Sequence, residues 1–136
     1  MTRIPSFILA FCAFVFSSTV LRAADEPSAV AEKFYAGYVA EVEANKDTKV
    51  WVAKSKLASE KFKKAYAKAM NSDELDADPV LNAQDIPDKP FKAQKPVIKD
   101  DKATVVLNAG SGEYKHSVTV KLVKTDGVWL LDAVNE

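Results

Sequence analysis

The sequence of 136 residues contains one histidine, His116, the side chain best suited to acid–base chemistry near neutral pH. Alternation of apolar and polar residues places it on the apolar face of a predicted strand at 114–124. No Gly-Xaa-Ser-Xaa-Gly segment and no second histidine accompany it, so neither a serine hydrolase nor a histidine-ligated metal site is predicted. Two interpretations stay open. We favour a histidine at the core edge that bonds a neighbour; the alternative is a pocket enzyme using His116 or Asp85 with Tyr38 or Tyr114.

The densest run of acidic residues precedes the predicted strands and comprises Asp73, Glu74, Asp76, Asp78 and Asp85. Calcium and magnesium prefer several carboxylate oxygens, so this run is a candidate cation site. However, Val80 and Leu81 stand where the helix–loop–helix calcium template needs an oxygen ligand and a glycine. We therefore expect neither a metal nor another cofactor. Asp78 followed by Pro79 is instead typical of a helix start, and predicts a short third helix there.

Gln84 and Asp85 follow this predicted helix and come before a proline. They either bond backbone groups of the loop, which we favour, or form a polar pair at the mouth of a pocket. Together with the residues considered above, they complete the candidate set for binding a small molecule or a protein: His116, Tyr38, Tyr114, Gln84 and Asp85.

The charged residues are unevenly distributed along the chain. The only arginines, Arg3 and Arg22, and the only cysteine, Cys12, lie within the first 23 residues, and 17 lysines stand against 19 acids in the remainder. This composition excludes a disulfide scaffold in residues 24–136 and argues against nucleic-acid binding, which favours arginine and a basic surface.

The first 23 residues have the features of a bacterial signal peptide. Arg3 supplies the positive start, 7–16 is an unbroken apolar run, and Ala23 is a small residue at the expected cleavage point. A bilayer-spanning helix needs about 20 apolar residues, so this run is too short to be an anchor. The sequence predicts a cleaved signal peptide at 1–23, a single domain at 24–136, and a periplasmic or secreted protein without a membrane span.

The period of the apolar residues changes near residue 92, from helical spacing to alternation. Helices are predicted at 28–45 and at 50–70, the second interrupted near Ser55. Four strands are predicted around 97–98, 103–108, 114–124 and 128–134, and the short turns between them require antiparallel pairing. The predicted fold class is α+β, with N-terminal helices covering one face of a C-terminal four-stranded antiparallel sheet.

Two segments resemble a known family: DADPVLNAQD at 76–85 and DGVWLLDAV at 126–134. They are similar to segments of the family catalogued as domain of unknown function 3828, whose members are small exported bacterial proteins. The resemblance implies a cystatin-like or nuclear transport factor 2-like fold, in which a curved sheet wraps round helices, often with a pocket between them. The family has no established activity, so the resemblance bears on fold alone.

A foldable core without a catalytic arrangement favours a non-enzymatic, exported binding module for a protein or a small molecule. Two alternatives stay open: a pocket enzyme of the isomerase or hydratase type that uses His116, and an inhibitory partner of the envelope or immunity type. The sequence does not decide whether the protein forms a homodimer.

Overall fold

The computed structural model describes residues 25–135, so the predicted signal peptide lies outside the described residues. Three helices come first: α1 (Pro27–Glu43), α2 (Thr48–Lys54) and α3 (Glu60–Met70). The helix predicted at 28–45 is confirmed to within two residues at each end. The interruption expected near Ser55 is also confirmed, because Ser55 ends α2 with an extended backbone. Asp47 and Ser59 cap α2 and α3 by accepting backbone N–H bonds.

Five strands follow: β1 (Lys92–Ala93), β2 (Val97–Lys99), β3 (Lys102–Ala109), β4 (His116–Thr125) and β5 (Val128–Val134). All pair antiparallel in the order β1-β3-β4-β5, and β2 also pairs with β3. The α+β class and the four predicted strands are confirmed. The two-residue strand β1 was not predicted, since so short a segment shows no alternation.

The sheet buries one face under the helices, as its alternation predicts. The buried face carries Val105 and Leu107 of β3 and Val118, Val120 and Leu122 of β4. The intervening residues on these two strands are half-buried or exposed. Because burying each Val or Leu side chain contributes roughly 1.5–3 kcal/mol, this face is a main source of stability.

An aromatic layer joins the helices to one another. Phe34 of α1 lies at its centre, with its ring centroid 5.2 Å from that of Trp51 and 5.6 Å from that of Phe62. Trp51 also packs directly on Gly37, where an added Cβ would lie 2.5 Å from the indole ring. Glycine at position 37 therefore permits α2 to approach α1 closely.

Two local predictions are wrong. The short third helix is a single turn at residues 78–82, in which the Asn82 N–H donates to the Asp78 carbonyl at 2.8 Å. Asn82 has a φ of 50°, a left-handed conformation that ends helical geometry after one turn. Tyr114 lies in a 3₁₀ turn, Gly112–Tyr114, ahead of β4, so it is not on the strand face assigned to it.

The β5 edge of the sheet is partly covered by the chain between α2 and α3. The Ser59 N–H donates to the Leu131 carbonyl and the Leu131 N–H donates to the Leu57 carbonyl, both at 2.8 Å. Strand edges with unpaired backbone groups invite pairing with other chains, and this contact protects the middle of β5. Within residues 25–135, no helix combines the length and the apolar character that crossing a membrane requires.

Candidate functional site

A surface groove opens between two loops at one end of the sheet. One side is residues 83–88, which we name the groove loop, and the other is the chain from Tyr114 to His116. The groove has a volume of about 590 Å³. Four of the five candidate residues meet here: Gln84, Asp85, Tyr114 and His116.

The groove loop follows a firmly held turn at residues 78–82, which we name the anchored turn. The Asp78 carboxylate organises it from within, because its Oδ1 atom accepts the N–H groups of Val80 at 2.8 Å and Leu81 at 2.9 Å. These are the bonds of a helix N-cap, so the capping role predicted for Asp78 is confirmed although no helix continues.

Two aromatic side chains hold the anchored turn from outside. The Tyr35 hydroxyl of α1 donates to the Val80 carbonyl at 2.8 Å. The His116 Nε2 atom lies 2.6 Å from the Leu81 carbonyl oxygen. Since a carbonyl oxygen only accepts, Nε2 carries the proton in this contact. The favoured interpretation of His116, a histidine at the core edge bonded to a neighbour, is confirmed by this bond.

Tyr38 is separate from the groove and belongs to the core. Its side chain is fully buried, and its hydroxyl donates to the Asp78 Oδ2 atom at 2.6 Å. The same hydroxyl lies 2.9 Å from that of Tyr66, which in turn lies 2.8 Å from the Thr48 Oγ1 atom. This network ties all three helical segments to the anchored turn, which makes Tyr38 a structural residue and not a lining residue of the groove.

Burial also changes the ionisation of this network. Loss of solvent contact raises the pKa of Tyr35 and Tyr38 far above the ordinary tyrosine value. The hydrogen bond to Asp78 raises the pKa of Tyr38 further. The pKa of Tyr66 is raised by burial as well, although its bond to Thr48 acts in the opposite direction. These hydroxyls therefore stay protonated to a higher pH than a solvent-exposed tyrosine.

The other side of the groove is built by residues 110–115, which we name the tip loop. Gly110 has a φ of 75°, and a Cβ there would lie 2.1 Å from the Tyr114 carbonyl oxygen. The Tyr114 N–H donates to the Ser111 carbonyl at 3.0 Å, and the Ser111 hydroxyl donates to Asp88 at 3.1 Å. This tightly closed loop presents Tyr114 with its side chain 78% exposed.

The charged groups at the groove are mostly acidic and exposed. Asp85 makes no hydrogen bond or ion pair through its carboxylate within the described chain, and Gln84 donates weakly to the Asp76 carbonyl at 3.3 Å. Across residues 25–135, no group of three or more Asp, Glu, His and Cys side chains is placed to hold a metal ion.

Sequence reasoning missed the contribution of Asp88 and Lys115 to this site. For Lys115, the signal that could have found it is the Gly110-Ser111-Gly112 segment, whereas no local pattern indicates Asp88. Two glycines so close together indicate a tight loop, and the residues that follow such a loop are presented outward.

The arrangement defines a helix-on-sheet α+β domain with an open groove at one end. No family model and no curated protein matches the chain. In fold, it is similar to a chain from the type VI native effector–immunity complex Tae3–Tai3 from Ralstonia pickettii, with a TM-score of 0.68 and 16% identity over 85% of this chain and 96% of that chain.

A selenomethionine form of the same complex gives a TM-score of 0.63 and 18% identity, covering 82% of this chain and 96% of that chain. At these identities, the likeness is one of fold.

Proposed function

We propose that this chain is an immunity-type inhibitory protein that binds and neutralises a partner enzyme. The observation that carries this proposal is the fold likeness, which extends over 96% of a chain solved in an effector–immunity complex. That complex pairs an effector with the protein that confers immunity to it, so the shared fold is found in a setting of protein–protein recognition.

The residues at the groove support the inhibitory side of such a pair. An effector must carry reactive groups, whereas the single histidine here donates its Nε2 proton to a backbone carbonyl. The single cysteine of the sequence is Cys12, inside the predicted signal peptide. A pocket enzyme that uses His116 with Tyr38 is also disfavoured, because Tyr38 is buried away from the groove.

The form of the groove supports a protein in preference to a small molecule. Sites for small ligands generally enclose most of the ligand, whereas this groove is open to solvent. Here Gln84, Asp85 and Tyr114 are all exposed at the groove. Exposed polar and aromatic side chains of this kind are typical of surfaces that bind another macromolecule.

We further propose, from the signal peptide predicted at 1–23, that the chain acts outside the cytoplasm. Arg3, the apolar run and Ala23 support export and cleavage, so we propose that the domain acts in the periplasm. The intact mass of the exported protein tests this point, because cleavage at Ala23 leaves a chain that begins at Ala24.

The proposed function is tested by isolating the exported chain from the periplasm of its own host and recording native mass spectra. We expect a complex with a second protein. After separation, that protein should show an enzymatic activity that equimolar addition of the chain suppresses, whereas heat-denatured chain should not. A homodimer alone, a small-molecule adduct, or a co-isolated protein whose activity is unchanged would contradict the proposal.

A further inference from the structure

Tyr114 is the most exposed of the large hydrophobic side chains in residues 25–135. Tyrosine loses little conformational entropy on binding and combines an apolar ring with a hydroxyl, which explains its frequency among residues that dominate protein interfaces. An exposed aromatic ring contributes nothing to the core, and this one lines the groove.

The loop that carries Tyr114 is held in shape before any partner arrives. Gly110 allows a backbone turn that a side chain would block, and the Ser111 hydroxyl ties the tip loop to Asp88 of the groove loop. A binding residue on a preorganised loop avoids the entropic loss of ordering that loop during association.

Acidic side chains outnumber basic ones at the groove. Asp85 and Asp88 line the groove together with one lysine, Lys115. Glu113 directly precedes Tyr114 in the tip loop, and Asp76 is exposed in the segment whose carbonyl accepts from Gln84. None of these four carboxylates forms an ion pair within the described chain, whereas Asp132, Glu41 and Glu60 each pair with a lysine. Such a rim attracts a basic surface and accelerates encounter with it.

Two other surfaces, the β5 edge and the exposed side of β2, are less suited to binding a partner. The middle of β5 is already covered by residues 57–59. Val97 and Ile98 are exposed on β2, but that strand has only three residues and lysines lie on both sides of it. Short, charge-flanked edge strands are a device that prevents pairing with other chains.

We propose that Tyr114 is the anchor of the partner-binding surface, and that the partner is a protein with a basic rim around a cleft that receives the ring. This inference rests on the proposed function, since it identifies the surface by which the inhibitory chain binds. Asp85 and Glu113 lie beside the anchor and match the basic rim.

The test uses the partner isolated in the native mass experiment and measures its affinity for variants of the full exported chain. We expect Tyr114→Ala to weaken binding by about 10-fold or more, as for a truncated aromatic anchor. Asp85→Asn and Glu113→Gln should each weaken it by about threefold, mainly through slower association, and this difference should shrink at high salt.

Val97→Ala is the matched control, because Val97 is also strongly exposed, at 71%. Val97 lies beside the start of β3, whereas the tip loop follows the end of β3, so the two substitutions alter opposite ends of that strand. Native circular dichroism of each variant verifies folding. Binding left unchanged by Tyr114→Ala would overturn the inference and leave the proposed function intact, whether or not Val97→Ala weakens binding. Absence of any protein partner for the wild-type chain would overturn both.

Discussion

The anchored turn and the groove loop are consecutive in the chain but differ in how their polar groups are used. In the anchored turn, Asp78 accepts three hydrogen bonds, and two carbonyls accept bonds from Tyr35 and His116. In the groove loop, Gln84 and Asp85 are exposed, and the Asp85 carboxylate makes no bond within the described residues.

This difference indicates that the two segments, eleven residues in all (78–88), have different roles: the first stabilises the fold and the second is available for binding. Side chains that are already bonded stabilise the fold, and those that are not remain available to a partner. The anchored turn fixes the point at which the groove loop begins, and the Ser111–Asp88 bond holds the far end of the loop, so the Asp85 carboxylate is not needed to keep the groove in shape. Variants of the two regions should therefore separate stability from binding.

The largest expected effect concerns the buried tyrosines and alkaline pH. Above the ordinary tyrosine pKa of about 10, the unfolded chain releases protons that the fold retains on Tyr35, Tyr38 and Tyr66. The free energy of unfolding is therefore unaffected by these groups below about pH 9 and falls above about pH 10, by up to about 4 kcal/mol per pH unit for the three together.

Urea unfolding at several alkaline pH values measures this slope, and tyrosinate absorbance counts the ionised rings. Tyr38→Phe is the control, because it should reduce the slope by about one third while all lysines remain. Ionisation of all four tyrosines in a chain that still shows native circular dichroism would contradict the buried network.

The next largest effect is expected from Asp78→Ala. It removes the acceptor of two backbone N–H groups and of the buried Tyr38 hydroxyl, so the free energy of unfolding should fall by about 3 kcal/mol. Asp76→Ala removes an exposed carboxylate two residues away and should change it by less than about 0.5 kcal/mol. Chemical denaturation compares the two variants, and equal losses would show that the anchored turn is not specially held.

The regular elements could be predicted from sequence because each has a clear period. Fourfold spacing of Val30, Phe34 and Tyr38 marks the buried face of α1, and all three side chains are buried. Alternation in β3 and β4 likewise assigns the buried face of the sheet. These patterns report which way a side chain faces, and they succeed where one face is covered uniformly.

The sequence predicts a helix where the anchored turn lies, because Asp78 followed by Pro79 can begin either a single turn or a long helix. What ends it is the left-handed backbone of Asn82, together with contacts from distant residues. The prediction of Tyr38 as a binding residue is wrong for a related reason, since its side chain is buried. Its partner Asp78 is 40 positions away, and no local pattern reports such a contact.

A smaller loss of stability is expected when His116 is changed. His116→Ala leaves the Leu81 carbonyl without its donor, which should lower the free energy of unfolding by about 1–2 kcal/mol. His116→Gln should lose roughly half as much, since a glutamine amide can still reach that carbonyl. Thermal and chemical denaturation would measure both. If both variants unfold as the wild type does, the histidine does not hold the anchored turn.

The smallest change in stability is expected in the groove loop, where the comparison is tested most directly. Gln84→Ala and Asp85→Asn alter exposed side chains, so each should change the free energy of unfolding by less than about 0.5 kcal/mol. Asp78→Ala, measured in the same experiment, provides the contrast a few residues away. Hydrogen exchange should show unchanged protection of the Val80 and Leu81 amides in both groove-loop variants, because Asp78 still bonds them. A loss of protection there would mean that the groove loop supports the turn before it, and that stability and binding are not divided between the two segments.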